Sequence, residues 1–514
     1  MWKCIPSRIA QLVLLASLVA TGLKTDNATA APFTWIQPTC SFLGCGWSTP
    51  SFWSPSGPPG AGDTATIAED VGVVLTESTP LLDGLTLENS AAIFTRGFSL
   101  NVAGTGANTF LFGTGTTGGN TQIAVNSGAG LGFDFVAFFL SLHQGAELKM
   151  QGGGVIASFG INISQSSLIS GFGTVLLLST GTKFDVAGTV RPEDGDLTLV
   201  SLAVDRIDLD GNVGGVEPGL LDITANGNLS IQGSLADPFS GVINLGNSNS
   251  VEFDTALDMD GQLNFRSGTG NQLIAPSITF DDGAEVTVDQ AIGHIDAISL
   301  WPGGATIQLV NPADELHLVG DSTFGFSTVF SGSGLLVNDN GATMTLEDGA
   351  DVGTALLNDG TLEIGTSIGA VLLEEFDQTS NGRIKIELGG LLPGVDFDQI
   401  SVTGDAGLDG MLDVTLLSPF TLSPGDFFEI INIDGVSTGV LNGLAEGSVI
   451  DTFDGEDLFI TYFGDDGNDV LLYVPEPGVL PSLAFGAIAL VSLRRRSRRA
   501  TWTISTAVAA RQGA

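Results

Sequence analysis

Between Leu85 and Ile364 the chain repeats one small unit, an apolar, polar, apolar triplet followed by Gly, Asn, Asp or Ser. Ile207-Asp208-Leu209, Leu221-Asp222-Ile223, Leu229-Ser230-Ile231, Val251-Glu252-Phe253, Leu263-Asn264-Phe265 and Val286-Thr287-Val288 are examples. Alternation of this kind turns one face of a short strand inward. Every second triplet returns at a nearly constant interval: positions 207 to 229 and 229 to 251 are 22 apart, 221 to 242 and 242 to 263 are 21, and 263 to 286 is 23. Two short strands in a period of this length predict the rungs of a parallel β-solenoid, each stacking its inward residues on the last. A β-sandwich also spaces strands by ~8–12 residues and is the competing reading.

The regions on either side have a different texture. Before the repeats, residues 31–80 hold Trp35, Trp47 and Trp53, then Pro58-Pro59-Gly60-Ala61-Gly62-Asp63 and the strand-like Thr64 to Ile67. Buried, these rings would close the open end of a solenoid; exposed, they would stack on sugar rings. After the repeats, residues 370–473 carry Gln378-Thr379-Ser380-Asn381-Gly382, Ile386-Glu387-Leu388-Gly389-Gly390, Asp396-Phe397-Asp398-Gln399, Leu408-Asp409-Gly410 and Gly425-Asp426-Phe427-Phe428-Glu429-Ile430. The expected fold is all-β: a parallel β-helix over 81–369, with an N-terminal Trp-rich cap and a separate C-terminal β domain.

Both ends read as targeting segments. Lys3 and Arg8, the apolar run Ile9 to Leu23 and Ala28-Thr29-Ala30 are the three parts of a secretory signal peptide, expected to be cut after Ala30. At the other end, Val474-Pro475-Glu476-Pro477 precedes the apolar stretch Gly478 to Leu493 and then Arg494, Arg495, Arg496, Arg498 and Arg499. Such a stretch crosses most of a bilayer and the arginines resist translocation, so an exported chain would stall there with its body outside. This tail, 474–499, resembles PEP-CTERM sorting domains, and the Trp segment and residues 370–473 resemble regions of PEP-CTERM and autotransporter-like proteins. The resemblance implies an exosortase-type processing enzyme that cuts near Pro475-Glu476-Pro477, and a cell-surface or extracellular-matrix location. Residues 500–514 extend beyond the arginines, where family members usually stop.

Charge narrows the partners. The chain has 17 basic and 58 acidic residues, but residues 1–30 hold three basic and one acidic, and 475–514 hold six and one. The remaining body carries eight basic against 56 acidic side chains, a field that repels nucleic acid and anionic lipid. Acidity usually suggests disorder, yet 43% of the residues are hydrophobic, enough for a large core. Cys40 and Cys45, which remain once Cys4 has left with the signal and have four residues between them, are expected to form one local disulfide in an oxidising compartment.

No catalytic constellation is expected. His143, His294 and His317 are isolated, and no phosphate-binding loop with Lys is present. Polygalacturonases resemble the chain at Asp281-Asp282, Gly293-His294 and Arg383-Ile384-Lys385, where paired acids would serve inverting hydrolysis. These do not align at multiples of the repeat. No metal or cofactor is assigned, although Asp208 with Asp210, Asp254 with Asp258 and Asp260, and Asp465-Asp466-Gly467-Asn468-Asp469 offer clustered oxygens that suit Ca²⁺. The expected function is a non-enzymatic, exported matrix or surface protein, in contact with extracellular polysaccharide and touching the membrane only through its tail. A β-helix carbohydrate-active enzyme or a glycan-binding adhesin is the alternative.

Overall fold

A computed structural model of the protein describes residues 31–37, 45–67 and 71–476, apart from short stretches between 81 and 218 and the positions 237 and 466. Strands take up 61% of the described residues and helix 1%, in a β-solenoid of about 10 turns. The all-β parallel β-helix is therefore the fold. The chain divides into two compact units, Met1–Ser299 and Leu300–Ala514.

In the first unit each complete turn carries three strands, where the sequence suggested two. Leu220–Ile223, Val242–Leu245 and the start of Gln262–Phe280 stack in parallel as one face; Leu229–Gln232 and Ser250–Phe253 belong to the second; Leu257–Met259 pairs with the end of Gln262–Phe280 on the third. The third strand is short, only Leu257-Asp258-Met259 in one turn and isolated bridges at Leu235 and Phe239 in another, so its alternation is brief. Inward residues form columns. Leu221, Ile243 and Leu263 are one and Ile223, Leu245 and Phe265 another, all fully buried. Each such side chain contributes about 1.5–3 kcal/mol by leaving water.

The register agrees with the expected interval at Leu229 and Val251, which are paired. Leu221 faces Ile243, one residue beyond the expected Val242. Ile207 faces Phe184 on one side and Leu235 on the other, not Leu229. The cause is one long turn: Thr189 pairs with Leu220 and Leu197 with Leu229, about ten residues more than the neighbouring turns take.

The Trp segment is the beginning of this ladder. Pro32–Trp35 pairs in parallel with Thr64–Ile67, and that strand with Gly84–Leu87. Trp35, Trp47 and Trp53 are each 1% exposed, with centroids 5.0 Å apart for Trp35 and Trp53 and 4.8 Å for Trp47 and Trp53, both edge to face. Trp53 Nε1 donates to Trp47 O at 2.7 Å. The rings close the core and offer no free face for a sugar.

The second unit repeats the three-face plan. Thr306–Leu309 with Val329–Gly332, Glu315–Leu318 with Leu335–Asn338, and Ser322–Phe324 with Thr343–Leu346 occupy its three faces. A buried polar column runs up one corner: Asn338 Nδ2 donates to Asn358 Oδ1 at 2.7 Å, and Asn358 Nδ2 to Gln378 Oε1 at 2.9 Å.

Parallel stacking does not stop at 369. Ala370 pairs with Gln399, Arg383 with Met411, Ile400 with Ile431 and Ala406 with Ser437. The different texture of this region reflects longer turns, 28 to 31 residues against about 20 from Leu335 to Ala355, because 389–398 and 417–426 are inserted at one corner. Its motifs answer to geometry. Gly410 of Leu408-Asp409-Gly410 has φ +63°, and a Cβ there would strike Gly382 O. The last part is antiparallel: Asp469–Tyr473 pairs with Phe427–Ile433 and with Glu456–Gly464, which pairs with Val449–Phe453. An antiparallel close leaves no parallel edge of that face open to another chain.

Candidate functional site

The exit of the chain lies at the end of this antiparallel close. Val474 is 2% exposed; its N–H donates to Asp426 O at 2.9 Å and its carbonyl accepts from Gly425 N at 2.8 Å. Pro475 is half-buried and Glu476 is exposed. Pro477, Arg494, Arg495 and Arg496 lie outside the described residues, as do the signal segment and 500–514. Among the described residues no helix is long and apolar enough to cross a membrane, and the stretch 478–493 is not among them. Cys45 is buried and disulfide-bonded; Cys40 is outside the described residues.

The polygalacturonase-like residues are dispersed. Asp281 follows the third face of its turn, and its N–H donates to Met259 O at 2.8 Å. This places its carboxyl beside Asp258 and Asp260, and its pKa is raised, first by partial burial and then by those two charges. His294 stands at a different corner, its Nδ1 3.3 Å from Asn271 O. Arg383 and Lys385 belong to the other unit, where Arg383 is ion-paired with Asp413, and Lys385 Nζ lies 2.5 Å from Glu363 Oε1. The basic pair is thus engaged with carboxylates of neighbouring turns.

Of the acidic turns, Asp254 is used structurally, its Oδ1 accepting from Gly233 N at 2.7 Å. Asp208 is buried and Asp210 lies outside the described residues. The 465–469 turn gains a partner from a distant strand: oxygens of Glu429, Asp465 and Asp469 all lie within 4.8 Å of one another. Antiparallel pairing brings Glu429 opposite Leu471, which accounts for its arrival. Asp469 is 1% exposed and its Oδ1 accepts from Ile433 N at 2.8 Å; Asn468 Nδ2 donates to Ile433 O and Gly435 O. Three converging carboxylates suit a hard cation, with carbonyls or water completing its shell. Sequence reasoning found the turn but not Glu429, whose signal was the Gly-Asp-Phe-Phe-Glu run.

One further acid is fully enclosed. Asp398 is 1% exposed, its Oδ1 accepting from Gly369 N at 2.9 Å and its Oδ2 from Glu387 N at 2.7 Å. Burial pushes its carboxyl up to about 7 against the pull of those two N–H groups, and the Glu387 charge adds to the rise. The Asp-Phe-Asp-Gln motif is thereby a latch at the base of the 389–398 insertion.

No protein-family model matches the chain, and no curated protein is similar to it.

Proposed function

We propose that the chain is an exported, non-enzymatic protein of the cell surface or extracellular matrix, associated with exopolysaccharide and released by an exosortase-type enzyme acting at its PEP-CTERM-like tail. The observation that carries this reading is the junction at Val474. The fold closes at a buried strand end at Val474, after which Pro475 is half-buried and Glu476 exposed. A processing enzyme therefore has access to its signal without unfolding the body. In sequence, the apolar stretch and the arginine block follow at once, which suits a chain paused across a bilayer.

The expected disulfide and the signal peptide fit the same oxidising, exported setting. The test is retention. Changing Pro475, Glu476 and Pro477 to Ala spares the hydrophobic stretch and the arginines, and touches only one half-buried position among the described residues. The triple variant is expected to accumulate at full length in the membrane fraction of a host that carries the processing enzyme. Release at the wild-type rate would refute the assignment.

A further inference from the structure

Both insertions near the C-terminal end leave the solenoid at the same corner. Residues 389–398 follow Arg383–Leu388, and residues 417–426 follow Met411–Leu416, the strand paired in register with it. The two insertions therefore start about 4.8 Å apart. The first is tightly ordered: Gly389 N donates to Asp396 O at 2.7 Å, Asp396 N to Leu392 O at 2.7 Å and Gly394 N to Phe397 O at 2.8 Å. At its base Phe397 is buried and meets Phe428 edge to face at 5.4 Å. Its tip nonetheless turns Leu391, Leu392 and Val395 outward, at 50%, 60% and 70% exposure. Three neighbouring large apolar side chains on a hydrogen-bonded tip contribute nothing to the core and form a contact surface.

The path of the chain end indicates what that surface meets. Phe428 pairs with Leu472, Phe427 with Tyr473, and Val474 is bonded to Asp426 and Gly425, so the last residues run out along the second insertion. Only Pro477 separates Glu476 from the apolar stretch 478–493. At no more than about 3.6 Å per residue, that stretch starts within about 7 Å of Glu476. A body held so closely brings this corner to the lipid headgroups.

We propose that the Leu391-Leu392-Val395 tip inserts into the bilayer interface beside the tail and seats this corner of the body on the membrane while the chain is anchored. The inference rests on the membrane-paused tail proposed above. Contact is apolar, not electrostatic. The body is strongly acidic, and the carboxylates of the two insertions are engaged by backbone N–H groups of their own loops: Asp396 Oδ2 accepts from Leu392 N at 3.2 Å and Asp426 Oδ2 from Ser423 N at 2.7 Å. Seating is accordingly insensitive to salt and gains nothing from anionic lipid.

The test uses the full chain reconstituted into phosphatidylcholine vesicles, with an environment-sensitive fluorophore on Val395→Cys or, at another corner of the same unit, on Val319→Cys. Labelled wild type gives the background from native cysteines. Vesicle flotation reports the tail, and fluorescence reports the tip. The expected result is a blue-shifted emission at 395, quenched by headgroup spin-labelled lipid and lost with Leu391→Ser plus Leu392→Ser, and a water-like emission at 319. All four positions, 319, 391, 392 and 395, are exposed, so folding is spared. Water-like emission at 395 in chains that float overturns the seating alone, and chains that fail to float overturn the tail reading and this inference together.

Discussion

Replacing Asn358 should damage the second unit far more than replacing the equivalent residue one turn earlier. Asn358 is fully buried and makes three side-chain bonds: its Oδ1 accepts from Asn338, and its Nδ2 donates to Gln378 Oε1 and, at 3.2 Å, to Arg383 O. A buried hydrogen bond is worth about 1 kcal/mol net, and a buried acceptor left alone costs about 1–3 kcal/mol. Asn358→Ala loses all three bonds and leaves Gln378 Oε1 without that donor, so about 4 kcal/mol is expected. Asn358→Leu recovers about 1–2 kcal/mol through apolar burial. Asn338 differs because Leu318 stands above it and its Oδ1 already has no partner. Asn338→Leu removes that orphan while creating another at Asn358, and is expected to cost about 1–2 kcal/mol less than Asn358→Leu. Urea unfolding of the full chain, followed by far-ultraviolet circular dichroism, gives the comparison. Equal midpoints for the two Leu variants, or an Asn358→Ala loss under about 1 kcal/mol, would show that the column is not a cooperative support.

The raised carboxyl of Asp398 makes the folded state bind a proton that the unfolded chain releases near pH 3.8, so its contribution is greatest below about pH 4 and is lost as pH rises to about 7. The ceiling is about 4 kcal/mol for a shift of this size; the difference in urea midpoint between wild type and Asp398→Asn, measured at pH 4.5 and pH 8, should change by a large part of it, and a constant difference would contradict the assignment. Calcium is expected to act where Glu429, Asp465 and Asp469 converge: millimolar calcium should raise the melting temperature over chelator, Glu429→Gln should abolish the rise, and superimposable curves would remove the cation from this site.

The all-β solenoid was legible because inward and outward residues alternate along each strand, and Leu229 could be matched to Val251 without any coordinates. The number of strands per turn was not. A third face built from Leu257-Asp258-Met259 or from a bridge at Leu235 offers one alternation or none, and period alone cannot separate two strands from three. The register slip at Leu221 has a related cause: Val242 and Ile243 are both apolar, and only the neighbouring turn decides which points inward. The Asn338, Asn358, Gln378 column did leave a trace, since each residue ends its strand two positions after an inward-facing apolar residue, Leu336, Leu356 or Phe376, but an isolated Asn in a Gly-rich turn is indistinguishable from an ordinary turn residue.

The candidate sites were harder to read for a different reason. Outward positions on a solenoid face water and are free to vary, so the repeat constrains the core and says nothing about contacts. Information about contacts has to come from departures from the repeat, and the departures in the second unit gather at one end. The insertions 389–398 and 417–426, the enclosed Asp398, the antiparallel close that carries Glu429 to Asp469, and the exit at Val474 all fall within its last turns. Four of these run against the economy of a plain rung: two add residues to a loop, one buries a carboxyl and one places three carboxylates together. Where local rules are broken together, some use other than folding has to hold the breaks in place. The insertion tip makes this concrete: Leu391 and Leu392 could be polar at no cost to the core, and the seating on lipid proposed above would give their apolar character a use.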